Sequence, residues 1–400
     1  MRPIVSFILL TLFLASICPL ASAISVQAGL TLSSPISLLN LGERAPSGTG
    51  DLIPIALLPA EDGGYLLVVD AVTYLPEEDT SEALLIRAGP GGSTLWTASA
   101  DASPRAAVSA PDGGWVVAGS KQRKAWAAEF ADDGTLRWEM QSTLEEDSGV
   151  LKIAPASDRG FFLAGHRDTV STVDNYTVEN RRETSLWRLD TGGAPLLETS
   201  FVVSSSDAGG DVTGIADTGD TVFITTSHSL VRAGQNGTVL SAEAWPGEIS
   251  ALLPVDDGFV VAGTVRHTEG QVPALTKMSP EGSIIWERQY EERGAATFET
   301  LLDGPDGEIV AVGILSYDIE CPPFTTYATD TLIAAFGRDG ELRWQKTTGY
   351  PGMDWGSGAI ATDDGYLVLT KYVTPLEEPD ERYLRYFTTG TALVPVSCRR

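Results

Sequence analysis

Cysteine and histidine are nearly missing from this chain, with three of each in 400 residues. That excludes a cysteine-rich disulfide scaffold and leaves few ligands for zinc. Lysine is scarce as well, six against 21 arginines, and acidic residues outnumber basic ones 54 to 27. A formal charge of −27 argues against nucleic acid as a partner, because the overall field repels it. Such a surface suits solubility in salt, which screens self-repulsion, and its sharper use is cation binding. No stretch sustains an apolar stripe at helical period, and no run after the first 23 residues is long and apolar enough to span a bilayer. Gly-x-Ser-x-Gly, His-Glu-x-x-His, Cys-x-x-Cys and phosphate-loop patterns are absent too.

What is present begins at the N-terminus. Met1-Arg2-Pro3 is a short positive start, Ile4 to Leu20 is almost unbroken apolar sequence, and Ala21-Ser22-Ala23 fits a small-x-small cleavage site. Residues 1–23 therefore read as a secretory signal, with an uncleaved membrane anchor as the alternative. Ile17 before Cys18 is a poor lipobox. The expected location is secreted, or at the cell surface or envelope. Cleavage would leave Cys321 and Cys398, and two cysteines in an exported protein suggest one disulfide; two unpaired thiols are the other reading.

The remainder is repetitive. An Asp-Gly turn and a strongly apolar strand ending in a small residue recur at Asp62, Asp112, Asp158, Asp257, Asp306 and Asp364, with a degenerate copy at Gly219-Asp220. A second turn has glycines at 92, 134, 193, 237, 282, 340 and 390, separated by 42, 59, 44, 45, 58 and 50 residues. Four residues after each stand Trp96, Trp138, Leu197, Ser241, Trp286, Trp344 and Val394, so four of the chain's nine tryptophans fall on one position. The spacing fits one four-stranded propeller blade per repeat. Asp-Gly supplies the positive φ of a tight turn, and a strand apolar at successive positions must be covered on both faces by neighbouring sheets. The expected fold is all-β, a seven-bladed β-propeller of four-stranded antiparallel blades over residues 52–398, with residues 24–51 as an N-terminal extension. Within that extension Ile36 to Leu41 is a candidate ring-closing strand.

Ala131-Asp132-Asp133-Gly134-Thr135-Leu136-Arg137-Trp138 and Gly337-Arg338-Asp339-Gly340-Glu341-Leu342-Arg343-Trp344 are the clearest copies. They resemble the secreted repeat propellers of archaea and bacteria, and the Gly-x-x-x-Trp spacing is similar to the tryptophan-docking repeat of quinoprotein dehydrogenases, the PQQ-like repeat superfamily. The resemblance covers about residues 52–400 and implies the fold and little about activity. Quinoprotein enzymes resemble eight-bladed rings with a vicinal cysteine pair; seven repeats and no adjacent cysteines speak against quinone binding here.

The blades are expected near 52–100, 105–144, 149–204, 211–246, 249–291, 297–348 and 357–398. Both Gly turns fall at one end of each sheet. The loops between second and third strands fall at the other, and they are long at residues 70–82, 167–184, 316–330 and 372–382. Variable loops gathered on one face of a rigid scaffold are where binding usually lives. Cys321 and Cys398 are expected to meet on that face. The bond would close a loop of 76 intervening residues and contribute about 4 kcal/mol in the chain-entropy account.

Candidate chemistry is sparse. Glu77, Glu78 and Asp79 in the first long loop, and Glu377, Glu378 and Asp380 in the last, would approach each other once the ring closes, and clustered carboxylates favour Ca²⁺. A solvated charge run is the favoured reading of them, since no Asp-x-Asp-x-Asp-Gly loop is present. His166, His228 and His267 follow second strands in neighbouring blades, but their differing offsets put them at different heights. The turn aspartates and outer-strand tryptophans read as structural. Asn175 heads a glycosylation sequon in a long loop; the sequon at Asn236 sits in a tight turn. No catalytic or cofactor-binding residue stands out. The expected function is an exported, monomeric, non-catalytic binding or scaffold module for a protein or glycan. The alternative is a glycan-directed hydrolase or lyase at the mouth of the central channel.

Overall fold

The computed structural model describes residues 50–74, 79–143, 147–172, 178–203, 211–267, 270–290, 295–321, 324–349, 353–380 and 385–397. These hold 27 strands, nearly all paired antiparallel. The first sheet is β1 (Gly50–Pro59), β2 (Tyr65–Thr73), β3 (Thr80–Ala88) and β4 (Thr94–Ala100). The second is β5 (Ser103–Ser109), β6 (Trp115–Lys121), β7 (Lys124–Phe130) and β8 (Leu136–Gln141). The third is β9 (Asp147–Pro155), β10 (Phe161–Thr172), β11 (Val178–Leu189) and β12 (Pro195–Phe201). The fourth is β13 (Val212–Asp217), β14 (Thr221–Thr226), β15 (Ser229–Gly234) and β16 (Val239–Ala244). The fifth is β17 (Glu248–Val255), β18 (Gly258–His267), β19 (Gly270–Met278) and β20 (Ile284–Gln289). A sixth set, β21 (Ala295–Asp303), β22 (Ile309–Cys321), β23 (Phe324–Phe336) and β24 (Leu342–Thr348), is followed by β25 (Met353–Thr362), β26 (Gly365–Asp380) and β27 (Arg385–Ser397). One parallel pair, Thr329 with Met353, joins these last two sets into a single sheet.

Each second strand is buried on both faces, as its apolar run dictates. The cores therefore lie between sheets, in cyclic order. Leu66, Leu85, Trp115 and Trp126 join the first sheet to the second. Val116, Phe161 and Trp187 join the second to the third, and Phe162, Ile215 and Val231 the third to the fourth. Phe223, Phe259 and Met278 follow, then Val260, Leu275, Phe298 and Leu332, then Val310, Ile333, Tyr366 and Val396. Leu67, Ile86, Leu367 and Leu393 close the circle by packing β26 and β27 on the first sheet, where Thr391 also donates from Oγ1 to the Leu52 carbonyl at 2.9 Å. Each fully buried Phe, Leu or Val stabilises by about 1.5–3 kcal/mol, and none of these sheets could bury both faces alone. The architecture is a β-propeller.

The outer rim is held by the tryptophans. Gly134, at φ +83°, lies under the Trp96 ring of the preceding sheet, with its Cβ position 2.9 Å from a ring carbon. Gly193 lies under Trp138 in the same way, Gly237 under Leu197, and Gly340 under Trp286. The Trp96 indole donates to the Asp132 carbonyl at 2.8 Å, and Trp286 to that of Arg338 at 3.0 Å. A positive φ and an aromatic lid impose glycine twice over. At the other turn, Asp62 accepts from the Gly64 N–H at 2.9 Å and pairs with Arg87 at 2.6 Å. Those two partners hold its carboxyl below the usual range, consistent with a structural role for the turn aspartates.

Near the axis the first strands abut one another around the ring. Each carries a bulge at the same height, which leaves Ile55, Arg105, Leu151, Thr213, Ser250, Glu299 and Ser357 without a cross-strand partner. The bulge pushes a carbonyl against the end of the second strand. At Gly119, Gly165, Gly263 and Gly313 an added Cβ would collide with the carbonyl oxygens of Ser103, Gly149, Glu248 and Thr297. That is why those apolar strands end in a small residue.

Two expectations need correction. Gly390 is not a turn: it lies inside β27 opposite Tyr372, so Val394 does not open an outer strand. β27 is the third strand of its set, and no fourth strand of that set is present among the described residues.

The rim contact has a measurable cost when disturbed. Gly134→Ala should lower the stability by about 2–4 kcal/mol through strain and overpacking, whereas Gly91→Ala, whose Cβ meets nothing within 4 Å, should change it by less than about 0.5 kcal/mol. Urea unfolding of both variants checks this.

Candidate functional site

The segments expected as long loops at one end of the ring are largely strand. β10 and β11 pair without interruption from Phe161 and Leu189 to Thr172 and Val178. β22 and β23 pair from Ile309 and Phe336 to Cys321 and Phe324, and β26 and β27 from Gly365 and Ser397 to Pro375 and Phe387, with a further pair at Asp380 and Arg385. Their first strands stop earlier, at Asp168, Ser316 and Val373 respectively. Beyond those points a two-stranded ribbon stands clear, roughly 15 Å long in the sixth set. The hairpins of the second and fourth sheets, by contrast, end at Lys121 with Lys124 and at Thr226 with Ser229. An isolated two-stranded ribbon is marginal in water, so the roots of these projections carry weight.

At the root between the last two sets, side chains from four strands converge. Tyr317 of β22 hydrogen-bonds Asp330 of β23. Asp354 of β25 is fully buried, and its backbone N–H donates to Thr329 Oγ1 at 3.0 Å. Both carboxylates crowd Gly349: a Cβ there would stand 2.7 Å from Asp330 Oδ1 and 2.9 Å from Asp354 Oδ2. Burial, then the Asp330 and Asp354 carboxylates, push the Tyr317 phenol up to about 12. Burial and Asp354 raise Tyr372 as well. Burial raises the Asp330 carboxyl, opposed by the Tyr317 hydrogen bond. The arrangement disfavours the ionised forms of Tyr317, Tyr372 and Asp330 and joins the last two sets at this root.

The root of the β10–β11 ribbon is built from opposite charges. Arg182 grips Asp168 with two bonds, Nε to Oδ1 at 2.7 Å and Nη2 to Oδ2 at 2.9 Å, and reaches Asp211 of the next sheet at 3.1 Å. Arg123 of the preceding sheet pairs with Asp147 at 2.7 Å. Bidentate pairs of this kind fix geometry as well as charge. The Arg182 guanidinium holds Asp168 below the usual carboxylate range. His166 sits beside this network, pushed down by burial and by Arg182 against the pull of Asp168, Asp211 and Asp147.

The residues singled out from sequence fare unevenly. Glu77, Glu78, Asn175 and Cys398 lie outside the described residues. Asp79 is exposed next to β3. Glu377, Glu378 and Asp380 are part of β26, with Asp380 opposite Arg385. The histidines are not brought together: His228 Nδ1 lies 3.1 Å from the Gly247 carbonyl, while His267 ends β18 opposite Gly270. No group of three or more His, Cys, Asp or Glu is arranged to hold a metal among the described residues. Cys321 sits opposite Phe324 at the end of its hairpin and Ser397 opposite Gly365; the expected pairing of Cys321 with Cys398 falls outside the described residues. The Asp330–Asp354–tyrosine root was missed from sequence because its members come from four strands, none marked by a local motif.

An acid raised on folding costs stability once it ionises. The penalty is absent below the unfolded value of about 3.9 and is complete above the raised folded value. Asp330→Asn should therefore gain on the wild type as pH rises from about 3 to 7, as read by paired urea titrations; a difference that stays flat with pH would refute the assignment.

No family model matches the chain, and no curated protein sequence does. Among solved structures it is similar to the Pan2 WD40 domain of Neurospora crassa, at 11% identity and TM-score 0.47, covering 88% of this chain and 90% of that one. A protein from Lactobacillus plantarum gives 14% identity and TM-score 0.48 over 75% and 86% of the two chains. The dihydro-heme d1 dehydrogenase NirN in complex with DHE gives 11% and 0.42 over 87% and 74%. Likenesses this distant carry no argument about activity, and the propeller rests on its own sheet order and cyclic cores.

Proposed function

We propose that this chain is an exported, seven-bladed propeller that works as a non-catalytic binding module, taking a protein or glycan partner on the face that bears the long hairpins. The observation that carries the reading is the set of ribbons projecting from the third, sixth and last strand sets, each rooted in a dedicated charge or carboxyl–phenol cluster. A plain scaffold has no use for such reinforcement, whereas a binding surface needs a rigid base under variable tips. Export is supported by the apolar, small-residue-terminated segment 1–23. The count of seven is supported by six four-stranded sets and a three-stranded one. The outer strand completing the last set is supplied in this proposal by the extension, with Ile36 to Leu41 the apolar stretch suited to it.

The rival, a glycan hydrolase or lyase at the channel mouth, needs two accessible carboxylates flanking a bond. Among the bulged residues of the first strands Glu299 is the one carboxylate, and Asp354 is fully buried.

Replacing residues 318–327 with Asn-Gly joins the paired Tyr317 and Ala328 by a tight turn and removes one tip while keeping its root. Affinity capture from an envelope fraction, with and without Ca²⁺, should lose its partner with this variant at unchanged thermal midpoint. Retention of every partner would sink the hairpin-face reading. Separately, deleting residues 24–41 should lower the thermal midpoint of the purified protein, and no change would remove the proposed closing strand.

A further inference from the structure

The rim clasps show what one junction lacks. An added Cβ at Gly134 would stand 2.9 Å from a ring carbon of Trp96, at Gly340 2.7 Å from one of Trp286, and at Gly237 2.8 Å from Leu197. Both indoles also donate to the carbonyl two residues before the glycine, that of Asp132 or Arg338. Gly282 of the fifth sheet has the same left-handed backbone, at φ +91°, but its seat is open: beyond its chain neighbours a Cβ would meet one atom within 4 Å, Phe223 Cε1 at 3.5 Å. The fourth sheet offers it Ser241, where the earlier sheets carry Trp96, Trp138 and Leu197. Trp245, four residues further on, packs against the core of this junction and stays more than 4 Å from that position.

The strands on either side of this seat open on aliphatic residues. Val239 and Leu240 begin β16, Ile284 and Ile285 begin β20, and all four are exposed. On β8 and β24 the place of Ile285, one residue before the tryptophan, belongs to Arg137 and Arg343, each tied to a glutamate of its own set. Charge at such a place keeps an edge strand from taking a foreign partner. β16 and β20 lack it there, and both are outer strands whose far edges pair with no strand among the described residues. Arg232 of β15 stands directly opposite Ser241. Directly opposite residues point to one face, so Arg232 lies on the side of the seat. Its Nε is buried with no hydrogen-bond partner, and a guanidinium so placed suits the face of an aromatic ring.

We propose that the rim between the fourth and fifth sheets docks a tryptophan-bearing segment of another protein, its indole lying on Gly282 as Trp96 lies on Gly134 and donating to the Pro280 carbonyl. The molecule's own clasps define the side chain that fits, and the aliphatic pairs receive the residues on either side of it. A second copy of this chain is not the occupant, because its tryptophans are already engaged. Trp115, Trp126 and Trp187 are buried in cores, Trp344 packs on Tyr366 at 5.6 Å, and Trp355 lies under Lys371 at 5.8 Å. The remaining four serve the clasps and the Trp245 contact described above. Charge points the same way. A formal −27, with Glu243, Glu281 and Glu287 exposed around the seat, repels a copy and favours lysine or arginine beside the incoming tryptophan. The seat is at the turn end of the rim, opposite the hairpins, and stands or falls independently of them.

The test is fluorescence anisotropy of a labelled peptide, Lys-Val-Trp-Val-Lys, titrated with the purified full chain beside its Lys-Val-Ala-Val-Lys counterpart. The tryptophan peptide should bind at least tenfold more tightly. Ser241→Trp supplies the missing ring from the chain itself, so it should raise the thermal midpoint and weaken the tryptophan peptide at least tenfold. Ile285→Asp, at an exposed position, provides a second variant if Ser241→Trp fails to fold, and it should weaken the peptide at an unchanged thermal midpoint. The variant lacking residues 318–327 should bind the peptide as the wild type does, which separates this seat from the hairpin face. No binding of the tryptophan peptide, equal affinity for the two peptides, or undiminished binding by folded Ser241→Trp or by Ile285→Asp would each overturn the proposal. A dimer in sedimentation that Ile285→Asp dissociates would overturn it too, by giving this rim to a second copy.

Discussion

The ring depends on a contact repeated at its rim: an aromatic ring on one sheet resting on a turn glycine of the next. Trp96 over Gly134, Trp138 over Gly193 and Trp286 over Gly340 each tie a sheet to its successor at the outer strand, where the large inter-sheet cores thin out. The contact needs both partners at once. The glycine gives the hairpin its positive φ and leaves room for the indole, while the indole shields the turn from water. Without it the outer strands, exposed along much of their length, would have little beyond ladder hydrogen bonds to hold them.

The inner end is governed by a complementary constraint. Each first strand bulges at one height, and in every set but the first, where Val69 stands opposite Pro54, a glycine meets the backbone displaced there. Glycines at the ends of β6, β10, β18 and β22 meet it directly. In the fourth and last sets the glycine has moved to the first strand itself, as Gly214 and Gly356, where a Cβ would stand 2.5 Å from a Leu252 atom and 2.6 Å from a Val312 atom. The bulged side chain differs from sheet to sheet: Ile55 and Leu151 pack against inter-sheet cores, while Arg105 and Glu299 are exposed.

Much of this was legible in the chain. Asp-Gly turns and the glycine-to-tryptophan spacing are local signals, and they located the repeats, the small residues closing the second strands and the docking role of the tryptophans. Legibility failed where the signal was not local. The ribbons of β22–β23 and β26–β27 read as loops because their threonines, prolines and acids lack an apolar alternation, yet both pair as strands. Gly390, between threonines and followed by apolar residues, imitates a turn but lies mid-strand. The bulge and the Asp330–Asp354 root join residues far apart in sequence, and nothing adjacent to any of them announces its partner.

The rim clasp loses its aromatic ring at Leu197, over Gly237, and is missing altogether at the next position. Between the fourth and fifth sheets the position is Ser241, and the core there, built on Phe223, Phe259 and Met278, is the smallest of the set. A hoop of clasps opens at its weakest clasp whatever the strength of the others. Amide protons along β16 and β17 should thus be the first to exchange in breathing motions, and the molecule would yield there like a bracelet rather than by losing sheets one by one.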